Sequence, residues 1–554
     1  MAGKLGLLRG RGVAVGEELQ TGRAASLAGR LKAFASRRGD LLGLALGYVA
    51  WRVFALTVLR TGLNLWPLRI GRDMHLLPFG PLQQHPLRSL WYLHAQPPGY
   101  NAVTAVIIHL PRSSWPVLVW TLSVLLGIVA CTFAYQAMLD LGVRRWLAMA
   151  GVLVAFVLNP GVLELSDYYL YSYWAACMLS ASLLCLTRYL DTRRTAWGVG
   201  LLGLAAAIVL TDSLFQWPWF LGLLVLLALG AKLPRRGLLI AAAVPALLVL
   251  ALTAKDALQF HQPTSSSWTG INLSRRVFAT ADPAEVAAML RSGGLKPIAT
   301  TPAFRPLGPK TSNGRFFTGN LERGYAAKLK VPTSTEPVLS VVVKPNLQPN
   351  YNNDAYREAS AKLMEADLAY ITAHPGTYLR GSATALKIWS LPSSDNFLFT
   401  GSATFSNAKV LRGYNAWVAK GGLHTPAFDT YAKLYNRTLG LSFHHGRDSS
   451  WLDLSGHAQA PRLSQLSWSA VGVTLAALLG LPWLAWRWRR DRRRLLLATY
   501  LWATTTMVLL TSTFVEVGEN DRFRASLGLL PAVATLLVVN ELMDIVAARR
   551  ARTP

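Results

Sequence analysis

Runs of about 17–23 mainly apolar residues recur along this chain, and they restrict what it can fold into. Each is long enough to cross a hydrocarbon core of about 30 Å as a helix rising 1.5 Å per residue. The runs lie near 41–60, 116–138, 146–163, 169–188, 195–211, 213–231, 237–254, 467–486, 495–513 and 525–547. They predict a mainly α protein, a polytopic membrane bundle of about ten transmembrane helices. Apolar residues make up 52% of the 554 and charged residues only 15%, too apolar a balance for a soluble globule of this size.

A formal charge of +28 raises the question of nucleic acid, and its distribution argues against it. The cations sit in the N-terminal tail (Arg23, Arg30, Lys32, Arg37, Arg38), in short turns (Arg144 and Arg145; Arg193 and Arg194; Lys232, Arg235 and Arg236), in the run Arg489–Arg494, and at Arg549, Arg550 and Arg552. Ten spans threaded from a cytoplasmic N-terminus bring every one of these clusters to the same side, the positive-inside pattern. The expected location is the cell (plasma or inner) membrane, with both termini cytoplasmic. The first forty residues lack a short apolar core with a small-residue cleavage site, so the first span reads as an uncleaved anchor. Cys131, Cys177 and Cys185 all fall inside predicted spans, which leaves no disulfide framework.

The same threading divides the chain into a basic tail (1–40), a membrane module (41–254) with a first outer loop at 61–115, an extracytoplasmic domain (255–466), C-terminal spans (467–547) and a short tail (548–554). The domain is expected to be mixed α/β. Asp354 to His374 has helical spacing at Leu363, Leu368 and Ile371, a second helix follows Pro375 to about Ser390, and Val338 to Val343 is β-like.

The chemistry-bearing residues gather on the outer side. The loop 61–115 holds a single acid, Asp73, followed by Met74 and His75, and it closes on His94-Ala95-Gln96-Pro97-Pro98. Glu164 and Asp167 occupy the turn after the third run, Asp212 the turn after the fifth, and Glu516, Glu519, Asp521, Arg522 and Arg524 the turn before the last. Charges at the mouth of an apolar bundle are costly to desolvate unless they pair, bind a ligand or stay wet. Asp212 reads as a wet turn residue, and the GENDRFR turn as an anion site. Arg52, inside the first run, would snorkel or pair with an acid from another span. His94 would bind a ligand, or serve at the start of the helix that Pro97 and Pro98 open. The tracts Ser265–Leu273 and Gln348–Tyr356 suit sugar contact and equally ordinary turns. His444 and His445 are adjacent and without spaced partners, which disfavours zinc.

The early Asp73, the His94-x-Gln96-Pro97-Pro98 element, the acids Glu164 and Asp167 and the charged turn before the last span together resemble the GT-C glycosyltransferases, among them the protein O-mannosyltransferases and the lipid A aminoarabinose transferase. The resemblance covers the first 250 residues best, the last three spans loosely, and leaves 255–466 unexplained. It implies an enzyme that moves a sugar from a polyprenyl-phosphate donor to an acceptor glycan, lipid or protein at the outer face, with inversion. Asp73 is then the general base. Arg522 and Arg524 would hold the phosphate, or pair with Glu519 and Asp521 and fix the turn. His94, Gln96, Glu164 and Asp167 would contact donor or acceptor. A divalent cation, Mg²⁺ or Mn²⁺, would have to find its further ligands outside the first loop, at Asp167 or Glu164 beside Asp73, because the second acid that many relatives carry in that loop is missing here. Two other readings stand beside this one: an O-antigen ligase or polymerase, which leans on Arg and His, and a non-enzymatic transporter or scaffold of envelope glycan assembly.

Overall fold

The computed structural model describes residues 39–61, 75–167, 169–230, 235–300, 334–341, 344, 350–391, 426–438, 466–517 and 520–551. The first apolar run forms α1 (Gly39–Thr57). At its far end lie three short helices, α2 (Phe79–Gln84), α3 (Pro86–Trp91) and α4 (Pro98–Ile108). The long α5 (Trp115–Asp140) returns through the bundle.

The next element is broken. α6 (Arg145–Val157) ends in a π-turn and bends by 48° into α7 (Pro160–Asp167). Pro160 has no N–H to offer the preceding turn. The Asn159 amide compensates in part, donating to the Ala155 carbonyl at 3.2 Å. α8 (Tyr171–Thr192) lies at the centre of the bundle against α5 and α9 (Thr195–Val209), and α10 (Trp217–Gly230) and α11 (Arg235–Phe260) complete the first half.

Beyond α11 comes a helical module of α12 (Thr269–Phe278), α13 (Pro283–Arg291), α14 (Asp354–Ala373), α15 (Pro375–Trp389) and α16 (Pro426–Thr438). The chain then re-enters the bundle as α17 (Trp468–Arg487), α18 (Arg492–Val515), the short α19 (Asn520–Ala525) and α20 (Leu530–Arg550).

Six of these helices are long and apolar enough to cross a membrane: α1, α5, α11, α17, α18 and α20. The bent α6–α7 pair makes a seventh if it counts as one span. The chain is thus a multi-pass membrane protein, with fewer full-length spans than the ten expected. α9 has only 15 residues, and α8 is long but less apolar. Its Ser172, Ser180, Ser182 and Thr187 are buried among neighbouring helices.

One end of the bundle is laced by ion pairs between helix ends: Arg145 with Asp40, Arg188 with Asp140 at 2.8 Å, Arg493 with Asp191 at 2.8 Å, Arg144 with Asp544 at 2.7 Å, and Arg487 with Glu541. Among the described residues, the basic turns at Arg144 and Arg145, Arg188 to Arg194 and Arg487 to Arg494 therefore share an end.

The module is helical, not mixed α/β, and no strand occurs among the described residues. The β-like run at Val338 instead opens a single helical turn, Pro337–Ser340. Asn350 draws this turn in, donating to the Val338 and Val341 carbonyls at 2.9 and 2.8 Å. The two helices expected after Asp354 and Pro375 are present. α14 buries Leu363 as expected, with Tyr356, Tyr370 and several small residues, while Leu368 is left exposed, and α12 approaches so closely that a Cβ on Gly270 would fall on the Ser360 carbonyl oxygen. α12 and α15 are seated on the end of α18. Arg276 donates to the Thr513 carbonyl at 3.1 Å and to Ser382 at 2.6 Å, and the Tyr378 hydroxyl donates to the Phe514 carbonyl at 2.5 Å. α16 lies against α1 and α7, with Phe428 and Ala432 buried beside Ala55, Leu59 and Leu163. Its Tyr435 donates to the Val154 carbonyl at 2.5 Å, inside the π-turn.

Candidate functional site

The end of the bundle opposite the arginine pairs holds a buried polar cluster, and the first loop forms its wall. From His75 the chain is pinned by Asn101. The Asn101 side chain accepts from the Leu77 amide at 2.8 Å and donates to the His75 carbonyl at 3.0 Å. The His75 ring packs edge-on against Tyr171 at 4.9 Å and against Trp268 at 5.4 Å.

The His94–Pro98 element is held from three directions. Asn352 accepts from the His94 and Ala95 amides at 2.8 and 3.0 Å and donates to the Tyr92 carbonyl at 3.0 Å. Ser267 meets the His94 Nδ1 at 2.7 Å, and the Ser266 hydroxyl donates to the Ala95 carbonyl at 2.7 Å. Just beyond, the Gly99 amide donates to the Leu210 carbonyl at 2.5 Å. A Cβ at Gly99 would stand 2.6 Å from that oxygen, so only glycine allows the contact. The serine and asparagine tracts thus anchor the first loop to the module. Burial, with Arg357 and Lys255 nearby, pushes the His94 imidazole down to about 3. It is neutral at physiological pH and cannot attract a phosphate by charge. Nor does it cap α4, whose N-cap is Pro97 with no side-chain hydrogen bond.

Asp212 and Arg522 form the floor. Asp212 is 1% exposed, so it is not the wet turn residue expected from the sequence. Its Oδ1 accepts from the Leu214 amide at 3.0 Å and its Oδ2 from Ser526 at 3.4 Å. Burial raises its pKa, and the Leu214 amide, Arg522, Ser526 and His75 pull it partly back. Arg522, 4% exposed, donates to the Tyr171 hydroxyl at 3.1 Å and to Ser172 at 3.3 Å, with its guanidinium over the Phe523 ring at 4.8 Å. One cation and one carboxylate are therefore buried near each other, with Tyr171 touching Arg522 and His75 close enough to act on the Asp212 charge.

The other sequence-predicted residues divide. Asp73 and Glu519 lie outside the described residues, and Asp521 is described only as part of α19. Gln96 is buried beneath the loop. Arg524 reaches the module directly, donating to the Trp389 carbonyl and, at 2.6 Å, to that of Leu391. It ties the end of α15, a use other than holding phosphate. Asp167 meets Arg52 at 2.6 Å, the pairing across spans expected of Arg52, and Glu164 is buried on the same short helix. A divalent cation at Asp73 and Asp167 would have to compete with that arginine. Among the described residues no three His, Cys, Asp or Glu side chains converge as a ligand set. His444 and His445 lie outside the described residues.

Sequence reasoning undervalued Asp212 and His75 and missed Tyr171, while Trp268 and Asn352 fall in the two tracts that it left open between sugar contact and turn. Asp212 carried a usable signal, since it lies in a turn of only a few residues between two apolar runs. The chain matches no protein-family model, no curated protein and no solved structure.

Proposed function

We propose that the chain is an integral-membrane glycosyltransferase of GT-C type, which moves a sugar from a polyprenyl-phosphate donor to an acceptor at the outer face with inversion. The observation that carries this reading is the buried Arg522, braced by Tyr171 and Ser172, with the Tyr171 ring in turn against His75. His75 follows Asp73 by two residues. A base in the first loop and a fixed guanidinium in the last turn are the two elements that displacement at an anomeric carbon requires. Asp73 would take the acceptor proton as the new bond to the anomeric carbon forms. The bond from that carbon to the phosphate oxygen breaks, and Arg522 would stabilise the departing phosphate. Orientation follows from the positive-inside rule: the arginine-paired end is cytoplasmic, and the Asp212–Arg522 end faces outward. With Asp167 in contact with Arg52, no step is routed through Mg²⁺ or Mn²⁺.

The buried His75 and Arg522 at this site favour, as a second reading, a ligase of the O-antigen type. Replacing Asp73 by Asn separates the two. Membranes carrying Asp73→Asn should lose transfer of labelled sugar from polyprenyl phosphate, while retained transfer would remove Asp73 as base and leave the ligase reading. A deletion strain screened for the sugar missing from lipid, protein or polysaccharide would identify the acceptor.

A further inference from the structure

At the end of the bundle away from the Asp212–Arg522 site, α8, α10 and α18 converge through ion pairs and arginine–carbonyl contacts. Arg493 pairs with Asp191 and donates to the Asp140 carbonyl at 3.1 Å, and Arg492 binds the Leu229 and Gly230 carbonyls at the end of α10. Three acids at this point are engaged: Asp140 by Arg188, Asp191 by Arg493 and Asp491 by Arg494. Arg193, Arg194, Arg236, Arg489 and Arg490 remain exposed at this end, and among the described residues none has an acidic partner. Two further observations point to a lipid. Trp486, 64% exposed at the end of the apolar α17, has the Arg489 guanidinium 4.9 Å from its ring, as an interfacial anchor would. Arg193 also takes the left-handed backbone (φ 54°) at the C-terminal cap of α8, where glycine is the usual occupant. The chain keeps a strained arginine where a neutral, unstrained residue would end the helix more easily.

We propose that this arginine surface binds the phosphate headgroups of anionic phospholipids in the adjoining leaflet, with Arg193, Arg194, Arg489 and Arg490 as donors. Guanidinium groups match phosphate oxygens, and basic surfaces at the cytoplasmic ends of helices suit anionic headgroups. The proposal does not depend on the catalytic reading.

The test uses the full-length protein in nanodiscs of phosphatidylcholine with or without phosphatidylglycerol, with co-purified lipid counted by native mass spectrometry. The wild type should retain phosphatidylglycerol over phosphatidylcholine. Replacing the four arginines by Gln should cut that preference by about tenfold or more, and replacing them by Lys should keep most of it. Arg193→Gly should lower phosphatidylglycerol retention without lowering thermal stability in phosphatidylcholine, a combination that general misfolding cannot produce. Equal retention of the two lipids by the wild type, or an unchanged preference in the Gln variant, overturns the proposal. So does complete displacement of bound lipid by inorganic phosphate, which would make the surface a site for the free ion.

Discussion

Arg52 on α1 and Asp167 at the end of α7 meet at 2.6 Å with both side chains sealed from solvent. The same guanidinium also donates to Ser166. The contact joins the first span to the far end of the broken α6–α7 pair, beside the helix α16 that covers them. A charge buried this deeply is tolerable only while its partner is present.

Removing one partner should therefore cost far more than removing both. Arg52→Met leaves a buried carboxylate uncompensated and should destabilise by about 3–5 kcal/mol. The double variant Arg52→Met with Asp167→Leu should recover most of that loss. Thermal unfolding in detergent measures both, and additive losses would show that the two residues act independently.

Gly270 tests the seating of the module. Its Cα faces the Ser360 main chain, so Gly270→Ala must push α12 away from α14. Overpacking of this kind costs about 1–3 kcal/mol. Limited proteolysis should then cut the segment 269–291 sooner while α17, α18 and α20 stay protected. Unchanged digestion would mean the helices can separate without penalty.

The sequence carried the elements that depend on local pattern and withheld those that depend on packing. Apolar runs and basic turns located the bundle and its paired end, and Arg52 announced a partner by lying inside a run. The proline pair at Pro97 and the Asp354 and Pro375 starts were legible from helix rules. The span count was not, because a run such as 195–211 is as apolar as a full span and only α9's early end makes it shorter. Val338–Val343 looked like a strand because four of its six residues are valine, yet Pro337 and the Asn350 amide hold its start in a helical turn. Asp212 looked like a solvated turn because its cover comes from residues over 300 positions away, among them Ser526.

Asp367 predicts a pH effect. It is fully buried on α14, and burial raises its pKa to about 8, with the Ser274 hydroxyl offsetting only part of that. Unfolded, the carboxyl titrates near 3.9. Between about pH 4 and 8 the folded chain keeps a proton that the unfolded chain has released, so this group makes stability fall as pH rises and adds no further slope above 8. Asp367→Asn removes that slope. Its gain over the wild type should grow by about 3–4 kcal/mol between pH 5 and pH 8. Chemical denaturation at the two pH values reads the difference, and a gain that shrinks towards pH 8 would refute the assignment.

Arg522 and Arg524 stand two residues apart and make opposite predictions. Arg522 faces Tyr171, Ser172 and Asp212 across the polar floor, whereas Arg524 is spent on the carbonyls at the end of α15. If the floor stabilises a departing phosphate, Arg522→Lys keeps the charge but loses the fork, and transfer should fall by about 10²–10³. Binding of the polyprenyl-phosphate sugar should weaken less than turnover, since the phosphate charge grows as the bond breaks. Arg524→Gln should instead loosen α15, visible as faster amide exchange at residues 386–391, with transfer reduced only in step with the folded fraction. Steady-state transfer in proteoliposomes, beside hydrogen exchange on the same samples, separates the two. Equal losses of activity with equal disturbance of α15 would mean that both arginines merely hold the turn, and Arg522 would then have no catalytic part.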